Sequence, residues 1–164
     1  MNPVETYLDD ASHQLRLLSR SLNTDYISNV GLDNAIQIEV ERQKQLKKFD
    51  VHYEHNYFQS SLDKNQELMA FRIFQEVTQN AMRHSKAKNL YVSLKSSPDF
   101  ELCVRDDGKG FLVEDMMQSP KASGLKNVLK RASMADLDCE VNSLLGEGCT
   151  YTLHNKKVSV KSAL

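Results

Sequence analysis

The chain lacks an excess of either charge. Its 21 Lys and Arg stand against 22 Asp and Glu, for a formal net charge of -1 and a pI near 6.5. The basic surplus on which phosphate-backbone binding rests is missing, so nucleic acid is excluded as the expected partner. No apolar run approaches the roughly 18 residues that cross a bilayer. Met1 to Asp10 carries acids where a secretory leader has a basic region and an apolar core. The expectation is a chain that neither inserts into a membrane nor is exported. Cysteine is scarce: Cys103, Cys139 and Cys149 are odd in number, widely spaced and without a CxxC pair. That pattern offers neither a disulfide framework nor a zinc cluster and suits a reducing cytosol. Against these absences, 40% of the 164 residues are hydrophobic and 26% charged, which excludes wholesale disorder and fibrous repeats. The length predicts one domain with at most a short appendage.

The first segment, Thr6 to Asn23, has no Gly or Pro and places Leu8, Ala11, Leu15, Leu18 and Leu22 at alternating spacings of three and four. This is a heptad seam, compatible with a two-stranded coil or with one amphipathic helix packed on its own domain. Its abrupt start suggests the end of a helix belonging to a longer protein. After a polar break, Leu32, Ala35, Ile36, Val40 and Leu46 predict a helix ending near Lys44, Lys47 and Lys48. Phe49, Val51 and Tyr53 alternate as a strand, and a long helix is predicted from about Asn65 to Ser85. In that helix Ala70, Phe74, Val77 and Ala81 form an apolar stripe, with Glu76, Asn80 and His84 climbing a neighbouring one. Leu90, Val92 and Leu94, then Phe100, Leu102 and Val104, predict an antiparallel hairpin. A glycine-bearing loop from Arg105 to Phe111 follows, then an irregular stretch from Leu112 to Ser123 and a helix from Gly124 to about Ala135. Cys139 to Leu144 and Thr150 to Leu153 flank Gly146, Glu147 and Gly148 as a closing hairpin.

Four places could carry chemistry. Glu76 and Asn80, one helical turn apart, offer oxygen ligands of the kind magnesium prefers. In Asp106-Asp107-Gly108-Lys109-Gly110-Phe111, two glycines permit close backbone approach and a carboxylate can accept an amino hydrogen. Ser123-Gly124-Leu125-Lys126-Asn127 opens a helix, where free N–H groups favour an anion such as phosphate. Gly146 to Thr150 completes the set. Taken singly, each also reads as an ordinary solvated helix face, turn, helix entry or hairpin.

In order, the four resemble the ATP-binding domain of sensor histidine kinases, within the GHKL superfamily. Phe74 to Ser85, reading FQEVTQNAMRHS, looks like the N box. Asp106 to Phe111 is similar to the first glycine box, Gly124 to Arg131 to the second, and Gly146 to Thr150 to the closing motif. Leu17 to Asn23, followed by Val30-Gly31-Leu32, resembles the segment that joins dimerisation helices to the ATPase domain in the nitrate-sensor-like branch. The resemblance implies an α/β (α+β) two-layer sandwich, a mixed sheet covered on one face by helices in the Bergerat manner, with a helical extension at the amino end. It divides the chain into the end of a dimerisation helix and connector at 1–29, the catalytic domain at 30–155 and a loose basic tail at 156–164.

The resemblance also assigns roles. Asp106 would accept the exocyclic amino hydrogen of adenine, with Thr150 in the same polar network, selecting ATP over GTP. Asn80 would hold Mg2+, and Glu76 would be the catalytic acidic residue that orients or polarises the reacting group. Arg83 and His84 would approach the phosphates and the base. Gly108 and Gly110 would let a lid from Phe111 to Ser123 hinge, and Gly124, with Leu125 beside it, would present amides to the phosphates. The implied partners are ATP, a response regulator and a second copy joined through the parent protein's dimerisation helices. The implied place is the cytoplasm, or the cytoplasmic portion of a membrane-anchored sensor. Two positions depart from the family pattern: Ala122 stands where the second glycine box has its first Gly, and Cys149 stands where Thr commonly follows the last glycine. His13 is the one early candidate for a phosphate acceptor, and Gln14 follows it where this branch has an acid. The expected function is therefore to supply Mg-ATP for phosphorylation of a histidine on a dimerisation domain largely absent here. A degenerate scaffold and an ATPase or serine kinase of the same fold are the rival readings.

Overall fold

The computed structural model describes residues 27, 29–56, 60–96, 99–119 and 123–156. The heptad-bearing segment, His13, most of the connector, Ala122 and residues 157–164 lie outside the described residues.

Helix α1 (Leu32–Leu46) begins after Gly31 and ends where Lys47 turns left-handed, its amide bonding the Lys44 carbonyl. Its buried stripe of Leu32, Ala35, Ile36 and Val40 recurs at helical spacing. Strand β1 (Asp50–Asn56) follows, tied to α1 by the Tyr53 hydroxyl donating to Asp33 at 3.1 Å. Helix α2 (Lys64–Asn80) starts in a capping box, in which Asp63 accepts from the Gln66 amide while the Gln66 side chain accepts from the Asp63 amide. The single helix expected to Ser85 instead widens into a π turn over Ala81–Ser85. Ser85 closes that turn by donating to the Ala81 carbonyl at 2.7 Å.

Strands β2 (Asn89–Lys95) and β3 (Glu101–Asp106) form the expected antiparallel pair, but β3 runs two residues into the predicted glycine loop. The stretch expected to be irregular holds a short helix, α3 (Val113–Gln118), with no buried residue of its own. Without an apolar stripe it has no periodic signal to read. Helix α4 (Ser123–Met134) and the hairpin of β4 (Leu137–Leu144) and β5 (Gly148–Asn155) complete the chain.

The sheet has the order β1-β2-β3-β5-β4. β1 and β2 are parallel, joined by α2 as a crossover, and every other neighbour is antiparallel. This is the mixed sheet anticipated above. Alternation decides its two faces: Leu90, Val92 and Leu94, Leu102 and Val104, and Tyr151 and Leu153 all point inward to one core. Phe74, Val77 and Ala81 of the helical layer and Leu125, Val128 and Ala132 of α4 meet them there. The opposite face is more open and polar, with His52 stacked on Tyr91 at 4.7 Å and Arg105 lying over the Tyr91 ring. The helical layer therefore lies over the carboxyl end of β3, where the glycine loop begins.

Candidate functional site

A cleft of about 450 Å³ opens between α2 with its π turn, the glycine loop, and the first turn of α4. That volume suits a small organic ligand. Glu76 and Asn80 line it from α2, Arg83 and His84 from the π turn, Asp106 from the end of β3, and Gly110, Gly124 and Leu125 from the far side. A π turn advances less per residue than an α-helix, so two consecutive long side chains, Arg83 and His84, both reach the same cavity.

Asp106 was expected in a surface loop, and the structure corrects this: it is the last residue of β3 and only 6% exposed. One carboxylate oxygen accepts from the Gly108 amide at 2.9 Å. Burial pushes the carboxyl above its ordinary range, the Gly108 amide offsets part of that, and the neighbouring Asp107 adds to the rise. A buried carboxylate facing a cleft is an acceptor waiting for a donor. Asp107 has a different task, since it accepts from the Lys88 and Asn89 amides and from the Asn89 side chain at 2.8 to 2.9 Å. Those donors, the Asn89 side chain first, hold its carboxyl below the ordinary range. Of the paired acids, one faces the cleft and the other fastens the loop to β2.

The glycine loop is strapped to the closing hairpin. Lys109 accepts from the Gly146 amide at 2.7 Å, and the Phe111 amide donates to the Ser143 hydroxyl at 2.9 Å. Gly110 has φ of +59°, and a Cβ there would overlap the Leu144 carbonyl oxygen. Gly108 packs on Ser85 and does not line the cleft. The two glycines thus serve close approach to backbone. Gly124 serves approach to side chains: a Cβ there would lie 2.8 Å from Asn80 Nδ2 and 3.1 Å from Glu76 Oε1.

The structure does not bring Thr150 to Asp106. Strand alternation puts Cys149 and Tyr151 on the inward face and Thr150 on the other, and β3 pairs Asp106 directly with Cys149. Cys149 and Tyr151, missed by the sequence reading, line the cleft. Counting by twos from the apolar Leu153 would have found them. Burial pushes the Cys149 thiol up to about 11, the Ser143 hydrogen bond lowers it in part, and the Asp106 charge raises it. Ser85 of the N-box stretch, Lys109 of the first glycine box and Met116 of the expected lid also line the cleft, although the sequence assigned them no individual role.

Glu76 and Asn80 converge beneath Gly124 as two oxygen donors. Among the described residues no group of three His, Cys, Asp or Glu could hold a metal ion. Mg2+ is usually held by one or two protein oxygen ligands together with waters and phosphate oxygens, and the side-chain oxygens of Glu76 and Asn80 are ligands of that kind.

The family model for histidine kinase-, DNA gyrase B- and HSP90-like ATPases matches residues 65–159, a span that contains every cleft residue named above. The chain belongs to this ATPase family. Among curated relatives of this ATPase domain, the sensor histidine kinase ComP of Bacillus subtilis strain 168 is 27% identical over 142 residues, which cover 86% of this chain and 18% of ComP. The sensor histidine kinase LiaS of the same organism is 29% identical over 146 residues, 88% of this chain and 39% of LiaS. The sensor protein VraS of Staphylococcus saprophyticus is 30% identical over 131 residues, 79% and 36% respectively. The chain thus spans less than two fifths of the length of these relatives. Among solved structures, the histidine kinase AdeS of Acinetobacter baumannii matches with a TM-score of 0.60 at 18% identity, covering 94% of this chain and 86% of that one. The histidine kinase domain of the Erythrobacter litoralis EL346 blue-light activated kinase matches at 0.61 and 14%, covering 84% and 73%. These last two agreements concern the fold of the ATPase domain alone.

Proposed function

We propose that the chain is the ATP-binding catalytic part of a sensor histidine kinase. It binds Mg-ATP and presents the γ-phosphate to a histidine carried by a dimerisation domain of the parent protein, from which the phosphate passes to an aspartate of a response regulator. Family membership supports the nucleotide, and the names of ComP and LiaS support the acceptor chemistry. The observation that carries the reading is the division of the cleft into two ends. One end holds a buried carboxylate, Asp106, and the other a helix N-terminus at Gly124 above Glu76 and Asn80.

The residues then divide the work. Asp106 accepts the adenine amino hydrogen with the carboxylate oxygen not committed to Gly108, and rejects guanine, which presents a carbonyl oxygen at that place. Cys149 and Tyr151, which line the cleft beside Asp106, wall the base. The first amides of α4 have no intrahelical acceptor and face phosphate oxygens, with the helix dipole favouring the negative charge. Asn80 with Glu76 would hold magnesium, which when bound neutralises charge on the phosphates. Glu76 orients the acceptor or draws off its proton, and Arg83 and His84 add donors at the rim. Catalysis of this kind rests on position and charge more than on covalent steps. We infer a cytoplasmic setting, where ATP and response regulators meet. His13 is not the acceptor in this reading, and incorporation of labelled phosphate there would overturn that part.

The test is calorimetric titration with ATP and GTP, each with and without magnesium. Magnesium-dependent binding of ATP and not GTP, lost in Asp106→Asn, is the expected result. Unchanged ATP binding by Asp106→Asn would move the site elsewhere, and no binding by the parent chain at millimolar nucleotide would favour a scaffold.

A further inference from the structure

Helices α2 and α4 run past each other in opposite directions along the cleft, packed through Leu125, Val128 and Ala132, and three further contacts bear on their register. At the far end the Gln66 side chain donates to the Ala135 carbonyl at 3.1 Å. At the cleft end Gly124 lies against Asn80 and Glu76. Between them the Arg131 guanidinium meets Glu76 Oε2 at 3.5 Å, with the two side chains 32% and 26% exposed. Arg131 is seven residues beyond Gly124, two helical turns along, and therefore on the same side of α4. It does not line the cleft itself. The two oxygens of Glu76 are thus occupied differently: Oε2 is engaged by Arg131, and Oε1 lies beside Gly124 together with the Asn80 amide.

We propose that Arg131 is a positioning residue for the nucleotide cleft, docking the amino end of α4 over Asn80 and Glu76 through its ion pair with Glu76. The proposal rests on the ATP reading above for the ligand, and on the structure alone for the docking. Two consequences follow physically. With Arg131 in place, the carboxylate of Glu76 has a fixed direction and a cation at its back, so a cleft that must receive polyphosphate does not present a bare negative charge. With Arg131 neutralised, Glu76 is free to turn toward the phosphates, and the first turn of α4 keeps the core packing of Leu125 and the approach of Gly124 but loses the ion pair that sets its direction over Glu76. The amides that meet phosphate then lose their fixed direction, and binding that depends on them weakens.

The experiment compares Arg131→Gln, Arg131→Lys, Glu76→Gln and the double variant Arg131→Gln/Glu76→Gln with the parent chain, by amide hydrogen exchange and by calorimetry with Mg-ATP. The amides to follow are those of residues 127–130, whose helical acceptors are the carbonyls of α4's first turn. Arg131→Gln is expected to speed their exchange and to weaken Mg-ATP about threefold to fivefold, the scale of a half-exposed ion pair. Arg131→Lys should recover most of both effects, because a cation remains. In the Glu76→Gln background, Arg131→Gln should add little to either. Unchanged exchange in Arg131→Gln, unchanged Mg-ATP affinity despite faster exchange, or an undiminished effect in the Glu76→Gln background would each overturn the proposal. If the parent chain binds no nucleotide, the ATP reading fails and with it the ligand half of the proposal, while the exchange arms still decide the docking.

Discussion

Asp106 sits where two requirements oppose each other. Recognition of an amino group wants an ionised acceptor, and burial penalises that ionisation, so its carboxyl is raised from the ordinary 3.8 chiefly by desolvation. The sign of the stability effect is fixed by this. Below 3.8 both folded and unfolded chains hold the proton and Asp106 contributes nothing to the pH dependence. As the pH climbs from there to the raised folded value, the unfolded chain releases its proton first, and stability falls. Above that value the loss is complete and constant. Asn can keep the Gly108 hydrogen bond without the charge, so Asp106→Asn should match the parent in acid and be the more stable protein at pH 7. Denaturant midpoints measured from pH 3.5 to 7 check it. A stability gap that stays flat or closes toward neutral pH would contradict a desolvated carboxylate. The same variant should lose ATP, which separates the fold from the function at a single atom.

Gly110 shows how elements meet. The glycine loop reaches the β4–β5 hairpin because this residue adopts φ of +59° and carries no Cβ to strike the Leu144 carbonyl oxygen. Gly110→Ala combines a conformational cost of about 1 kcal/mol with an overlap that the hairpin must yield to, so a loss of about 2 kcal/mol or more is expected. Because Phe111 and Lys109 are bonded to the same hairpin, the variant should also weaken ATP binding, which titration will show; full stability and affinity would mean that the loop does not seat there. Neither the seat nor the partner of Gly110 was legible in the sequence, which showed only a glycine in a loop. What was legible followed from local period: the stripe of Ala70, Phe74, Val77 and Ala81, the alternations of β2 and β3, and the convergence of Glu76 and Asn80 one turn apart. Failures occurred where period breaks or phase matters. The π turn interrupts α2 without any Gly or Pro to announce it, and α3 has too few residues and no buried stripe. Thr150, one residue along β5 from Cys149, lies on the other face of the sheet, because in a strand a step of one exchanges the faces.

At the scale of the whole molecule, the cleft lies between two layers that are otherwise joined by apolar packing. Its floor belongs to the sheet, through Asp106, Cys149 and Tyr151, and its walls to the helical layer, through Asn80 and Gly124. A ligand that touches both layers is bound only when they are docked, so its binding free energy adds to the stability of the assembly and not to that of one element. Mg-ATP at a hundred times its dissociation constant should then stabilise the folded chain by about 2.7 kcal/mol. For a chain of this size that corresponds to a rise in Tm of roughly 5 to 10 °C. Thermal unfolding followed by circular dichroism, with ATP and with GTP, measures it. A rise with ATP that GTP does not produce, and that Asp106→Asn abolishes, requires the base to be read by the sheet while the phosphates are held by the helices. An equal rise with both nucleotides would mean that the phosphate end alone binds, leaving Asp106 without the role assigned to it. No rise at nucleotide levels that saturate the calorimetric titration would show that the ligand also binds a state in which the two layers have parted, which a site built from both of them forbids.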